Sequence, residues 1–572
     1  MLTRRFVFQA VYSNICSTPN DGGSRTVGGL WHGDPMIADS CSGVCPGSFA
    51  AGQLDQLARR RWVRFAVYVL GLVLALGGCA APRESVAGTT VSSLPGEVTA
   101  LPTSATSYPV NASAHDLTPI DLTQQGYLEQ EYVVSGRANV YSWPDLNTLT
   151  VSTSGPYTTR ILIRRPADPA RFSGNVRVEP LNPTSGHDLD AEWEIAHDGF
   201  MRAGDAYVGI TVKPVTITAL KRFDPTRYAH LSMPNPARPD QRCVPHSKSS
   251  DAGSEDGLAW DIISQVGRLI RSDVPANPLR DVHVVTSELT GWSQSGSYDV
   301  TYLNAIARHV TLPGGRPIFD AYLPGAGSYA GTPISQCAPW IDPGDPRVQF
   351  NPPPGIPVMI VSTPTDFYGA ASYNRRADRP ADSDGPDRRI RLYEIGGGCH
   401  LPADHGRYFP APSSAPTGGS SSDDPPVTAM SAFPLHVVLD AAFANLDAWV
   451  RHGVAPPHAS RLTAENAGVW PVRATRDQYG NPLGGVRTPA VDVPTATYVE
   501  RGLGGPHGPD SAYAGFDIPF SPAALQALYP THQDYVDKVS ADVRQLINQH
   551  WLTDYDGAWL TTQAEAAHVP GL

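Results

Sequence analysis

DVHVVTSELTGWSQSGSYDVTYLNAIARHV, residues 281–310, carries a strand signal, a tight corner and a helix signal in direct succession. Val282, Val284 and Val285 form a β-branched run that predicts a short strand. Gly291-Trp292-Ser293-Gln294-Ser295-Gly296 reads as a glycine-flanked corner, and Val300, Leu303, Ile306 and Val310 recur at helical spacing. A serine at the apex of strand, corner and helix is held on a strained backbone with its hydroxyl above the sheet edge, the geometry a nucleophile requires. Strand and helix pass so close there that small residues must stand two before and two after it. Gly291 and Ser295 meet that demand, with serine where glycine is usual.

A chain of 572 residues has room for two domains or for one large α/β domain with insertions. Its formal net charge of -12, and the confinement of clustered basic residues to Arg59, Arg60, Arg61 and Arg64, exclude a nucleic-acid surface. With 53 glycines, 55 prolines and 17% charged residues, the composition is that of a loop-rich globular protein.

The arginine cluster precedes an apolar run from Phe65 to Leu76 and then Gly77-Gly78-Cys79-Ala80. The run is shorter than the about 20 apolar residues a spanning helix needs. Residues 59–79 therefore read as a lipoprotein signal peptide, cleaved before Cys79, whose lipidation anchors the chain outside the membrane. Residues 1–58 precede the charged start of that signal and read as a mis-called start or a disordered lead, and 80–117, rich in Ser, Thr, Pro and Ala, as a flexible tether. Of the exported cysteines, Cys243 and Cys337 fall in loop-like inserts and are expected to pair, leaving Cys399 free beside His400.

The core is expected over 118–457. Tyr127 to Tyr141 and Tyr157 to Arg165 read as a strand pair, Gly174 to Leu181 and Ala206 to Val212 as further strands, and Trp193 to Met201 as a helix closed by Gly204. Two irregular inserts, 213–256 and 324–354, read as lid or pocket wall. Trp260 to Ile270 resumes a helix, Val358 to Ser362 and Ile390 to Ile395 are strands, 404–429 is an exposed loop, and Leu439 to Val450 is the last covering helix. This alternation argues an α/β fold, a mostly parallel central sheet with helices on both faces. Residues 458–572, with helices near Pro522 to Tyr529 and Gln533 to His550, read as a C-terminal helical extension packed on that core.

A serine hydroxyl attacks only when a base takes its proton and an acid orients the base. Val358 to Ser362 runs into Asp366, and Ile390 to Ile395 runs through three glycines into His400, so Ser293, Asp366 and His400 follow one another at successive strand ends. Asp320 and Glu394 are rival acids and His405 the spare histidine. Backbone N–H donors for the oxyanion are expected from Gln294, just after the serine, and from Thr184, with Asn182 as fallback because Pro183 has no N–H. No phosphate loop, CxxC pair or metal-ligand spacing points to a cofactor; His400, Asp404 and His405 lack the spacing of a zinc site.

The blocks VRVEPLNPTSG (176–186), AGDAYVGITV (203–212), GWSQSGSYDV (291–300), MIVSTPTDF (359–367), YEIGGGCH (393–400), LDAWVRHGVAPP (446–457) and GGVRTPAVDVPTATY (484–498) resemble the bacterial α/β-hydrolase-domain family of secreted or lipid-anchored proteins. The resemblance runs in order from about Asp116 to the C-terminus. It implies an α/β-hydrolase fold and a serine esterase whose nucleophile, acid and histidine map onto Ser293, Asp366 and His400. The family's acid block often has glutamate immediately before the aspartate, where this chain has Thr365. The expected activity is extracytoplasmic hydrolysis of a small-molecule or lipid ester through an acyl-enzyme on Ser293. Acyl transfer would use the same three residues, and a non-catalytic surface lipoprotein of the same fold is the rival class.

Overall fold

A computed structural model of the chain describes residues 90–570 apart from 244–250, 328–330, 343, 368–378, 409–429, 466–473 and 502–512. The lead 1–58, the signal 59–79 with Cys79, and most of the expected 404–429 loop lie outside the described residues.

The described strands are β1 (Thr90–Val91), β2 (Glu97–Leu101), β3 (Tyr127–Asp145), β4 (Thr148–Pro166), β5 (Asn175–Pro180), β6 (Ala206–Ile210), β7 (Thr286–Trp292), β8 (Val310–Thr311), β9 (Ala321–Gly325), β10 (Pro357–Ser362), β11 (Ser383–Gly385), β12 (Arg388–Glu394), β13 (Ala496–Val499) and β14 (Phe516–Pro519). Ten of them form one sheet in the order β11-β12-β10-β9-β7-β5-β6-β4-β3-β2. The β2-β3-β4-β6 side is antiparallel, and β6-β5-β7-β9-β10-β12 is parallel throughout. Parallel neighbours need crossovers, supplied by α1 (Ala191–Ala203), α3 (Ala259–Leu269) and α4 (Gln294–Thr301) among others. This is the α/β architecture expected, with the corner serine at the C-terminal end of a central strand.

Side chains alternate across the sheet with the period of two that a strand imposes. Val208, Val358, Ile360, Ile390 and Leu392 join a core with α3 on one face. Tyr207, Met359, Val361 and Tyr393 join a second core with α1 and the long helix Leu435–His452 on the other. Gly204 and Gly453 end α1 and that long helix at φ 79° and 69°, left-handed positions where a Cβ would be strained.

Several expectations are corrected. The strand foreseen at Val282 to Val285 lies one step later, at β7, and Val285 is 51% exposed. Its buried positions include Glu288, which pairs with the buried Arg177 of β5, so an ion pair stands where the apolar pattern would have marked a strand. The helix after Ser293 passes at Tyr302–Ile306 into a π-type turn, and Val310 leaves it to pair, in β8, with β1. Within 80–117, β2 forms the sheet edge against β3, and the next segment is buried. Arg160 and Arg164 reach out of β4 to the Val110 and Asn111 carbonyls, so backbone acceptors hold this stretch and no apolar pattern announces it. In 213–256, expected to be irregular, Pro214–Phe223 forms α2 with Ile217 and Leu220 buried. The Cys243–Cys337 disulfide joins the two inserts, and Cys399 is free and buried.

The extension carries the expected helices, observed at Pro522–Leu528 and His532–Asn548, together with Asp554–Ala566 and an antiparallel β13-β14 pair. Val539, Val543, Leu546 and Leu560 pack into the second core, so it belongs to the same folded unit, residues 88–572. Among the described residues no helix is long and apolar enough to cross a membrane.

Candidate active site

Ser293 leaves β7 with φ 64° and ψ -118° and caps α4, a left-handed φ that a residue bearing a Cβ adopts only under constraint. The constraint is crowding. A Cβ on Gly291 would overlap Ser295, and one on Gly296 would come 2.5 Å from the Gly325 carbonyl oxygen. The Ser293 amide donates to Gly325 O at 2.8 Å, and its carbonyl accepts the Ser297 amide at 3.1 Å. Ser295, the departure from glycine, is fully buried and donates its hydroxyl to Glu179 Oε1 at 3.2 Å. A buried acceptor thus explains why a hydroxyl occupies that position.

Asp366 stands just past the end of β10. Its Oδ2 accepts the Thr363 amide at 2.9 Å and the Thr363 hydroxyl at 2.7 Å. Its Oδ1 lies 2.6 Å from His400 Nδ1. The structure therefore brings the expected acid and histidine together, with the acid held on its other oxygen. His400 follows the Gly396-Gly397-Gly398 bend, where Gly397 has φ 92°. Its amide donates to Thr365 Oγ1 at 3.2 Å, and its carbonyl accepts Trp292 Nε1 at 3.0 Å. Because Trp292 immediately precedes Ser293, this bond ties the histidine loop to the corner, and the indole and imidazole centroids are 6.0 Å apart. Thr365, where the resembled family often has glutamate, links the acid loop to the histidine loop and donates to the Glu500 carbonyl of the extension.

Gln294 opens α4, where the first-turn N–H groups have no intrahelical acceptor. Thr184 sits opposite, its hydroxyl donating to Gln294 Oε1 at 3.0 Å. The Thr184 amide donates to Asn182 Oδ1 at 2.9 Å, while Asn182 Nδ2 donates to the Trp292 carbonyl at 3.0 Å. The fallback amide of Asn182 is spent on Leu189 O at 2.7 Å.

The rival residues have other partners. Asp320 pairs with Arg271 at 2.6 Å and Glu394 with Arg379 at 2.6 Å. His405 Nε2 lies 2.6 Å from Glu194 Oε2, away from Asp366. Burial, with His400 nearby, pushes His405 down to about 3, and burial with neighbouring carboxylates pushes Glu194 well up. Both shifts have burial as their largest cause, which disfavours the charged form of each group. Among the described residues no group of three His, Cys, Asp or Glu side chains is arranged to hold a metal.

Sequence reasoning passed over Glu179, Thr363 and Trp292. Thr363-Pro364-Thr365-Asp366 has the spacing of a capping pair and could have been found. Glu179 lies mid-strand in β5 with no such signal. Burial raises it to about 8, and it accepts from Ser295, from the Glu192 amide at 3.1 Å and from the Tyr207 hydroxyl at 2.7 Å.

Fold and corner together define an α/β hydrolase. The chain belongs to the family described as alpha/beta hydrolase domain, whose match spans residues 94–562. Similar solved structures include an esterase of Pyrobaculum calidifontis (10% identity, 41% of this chain and 71% of that one, TM-score 0.23). Another is a carboxylesterase of Lactobacillus plantarum WCFS1 (15% identity, 37% and 70%, TM-score 0.23). A third comes from work on two fungal esterases of Rhizomucor miehei (10% identity, 46% and 74%, TM-score 0.24). No curated protein matches the sequence.

Proposed function

We propose that this hydrolase cleaves carboxylic esters through an acyl-enzyme on Ser293, with His400 as base and then acid and Asp366 as its orienting partner. The observation that carries the reading is the 2.6 Å contact between His400 Nδ1 and Asp366 Oδ1, on a loop tied through Trp292 Nε1 to the corner where Ser293 is held at φ 64°. His400 Nε2 takes the Ser293 proton as Oγ bonds the carbonyl carbon, and the oxyanion draws on the Gln294 amide. Thr184 would be the second donor, exchanging Asn182 Oδ1 for the oxyanion. The carbon–alkoxide bond then breaks, and His400 returns the proton to the departing alcohol. Water, deprotonated by the same imidazole, releases the acid and restores Ser293.

The chain acts outside the cytoplasm, held to the membrane by lipid on Cys79. The arginine-apolar-cysteine order of 59–79 supports this, and so does the Cys243–Cys337 disulfide, a bond of oxidising compartments. The purified protein is expected to hydrolyse p-nitrophenyl esters, and Ser293→Ala to abolish turnover. Equal turnover in both would refute the mechanism. Globomycin is expected to block processing at Cys79, and unchanged processing would refute the anchor.

A further inference from the structure

The extension contributes to the site. Leu401, next after His400, donates its amide to the Tyr513 carbonyl at 3.1 Å and bridges in parallel to Ala514. The Ser431 amide donates to Gly515 O at 2.8 Å. Gly515 lies so close to the histidine loop that a Cβ there would stand 2.9 Å from Cys399 Sγ. These backbone contacts place the Tyr513 ring 5.1 Å from the His400 imidazole, centroid to centroid, at 51°. Among the described residues the His400 imidazole has two aromatic neighbours, the fully buried Trp292 on the inside and Tyr513, 42% exposed, toward solvent.

Chemistry assigns the side of the substrate that Tyr513 meets. The acyl group stays on Ser293, with its oxygen turned toward the Gln294 amide. The leaving oxygen must come within hydrogen-bond reach of the imidazole to receive its proton, so the alcohol's substituent passes along the open side of His400. We propose that Tyr513 is the specificity-determining wall for that alcohol, and that the site favours esters of ring-bearing alcohols; this rests on the serine hydrolase reading above.

The test compares benzyl and methyl esters of one short acid, then acetate and butyrate of one alcohol, in the wild type, Tyr513→Phe and Tyr513→Ala. The ratio of kcat/KM for benzyl over methyl ester is expected to fall roughly three- to tenfold in Tyr513→Ala, from loss of a ring–ring contact, and to persist in Tyr513→Phe. The acetate-to-butyrate ratio is expected to stay constant. If Tyr513→Ala fails to fold, Tyr513→Leu carries the test, with a fall in the same direction. An unchanged benzyl-to-methyl ratio, or a change confined to the acyl pair, would overturn the proposal while leaving the hydrolase intact. A wild type that cleaves none of these esters and resists fluorophosphonate would instead bring down the hydrolase reading.

Discussion

In the proposed mechanism Ser293, Asp366 and His400 divide the work unequally, and their variants should show it. Asp366→Asn removes the acceptor at His400 Nδ1 and leaves Thr363 to hold the wrong tautomer in place, so kcat is expected to fall by roughly 10⁴-fold with little change in KM. A loss of less than tenfold in steady-state kinetics would mean another group orients the imidazole. Ser295→Gly deletes the bond to Glu179 and is expected to cost about 1 kcal/mol in chemical denaturation without removing the nucleophile. Gly291→Ala forces a Cβ onto Ser295 and is expected to cost about 1–3 kcal/mol or more, because neither strand nor helix can withdraw. Ser293, Asp366 and His400 could be proposed from the sequence because each follows a strand and the chemistry fixes their types. Glu179 and Tyr513 could not, since one sits mid-strand and the other reaches His400 from a segment more than a hundred residues downstream.

At the scale of elements, strands whose buried positions are mostly apolar were legible, among them β6 and β10. β7 was displaced because its buried positions hold Glu288, satisfied by Arg177 of a neighbouring strand, and single-chain periodicity carries no trace of a partner. The buried segment after β2 escaped notice for a related reason, being held by arginine contacts to the Val110 and Asn111 carbonyls. The two inserts are joined by Cys243–Cys337 across 94 positions, a long loop for a crosslink to close. Replacing both cysteines by serine is expected to lower unfolding free energy by roughly 2–4 kcal/mol, with fluorophosphonate labelling retained below the melting transition. Unchanged melting under non-reducing conditions would contradict that.

Among the described residues of the whole molecule, several buried carboxyls hold their protons well above the ordinary range. Burial first of all raises Glu179 to about 8, Asp440 to about 8 and Asp116 to about 9. Below its ordinary value of 4.5, Glu179 is protonated in folded and unfolded chains alike, and its burial adds no penalty. Between there and about 8 the unfolded chain releases the proton while the folded chain retains it, so stability declines as pH rises, by up to about 1.4 kcal/mol per pH unit for each such group. Tm is accordingly expected to fall from about pH 5 to about pH 8, and Glu179→Gln to flatten the decline. A slope identical in wild type and variant would show that Glu179 does not hold its proton in the folded state.

The central claim is that Ser293 is the nucleophile of an assembled serine–histidine–aspartate site. It is tested most directly by treating the purified protein with a fluorophosphonate and locating the adduct by peptide mass spectrometry. One adduct is expected on Ser293, absent from Ser293→Ala and strongly slowed in His400→Ala. An unlabelled folded protein, or an adduct on Ser295 or any other residue, would contradict the claim.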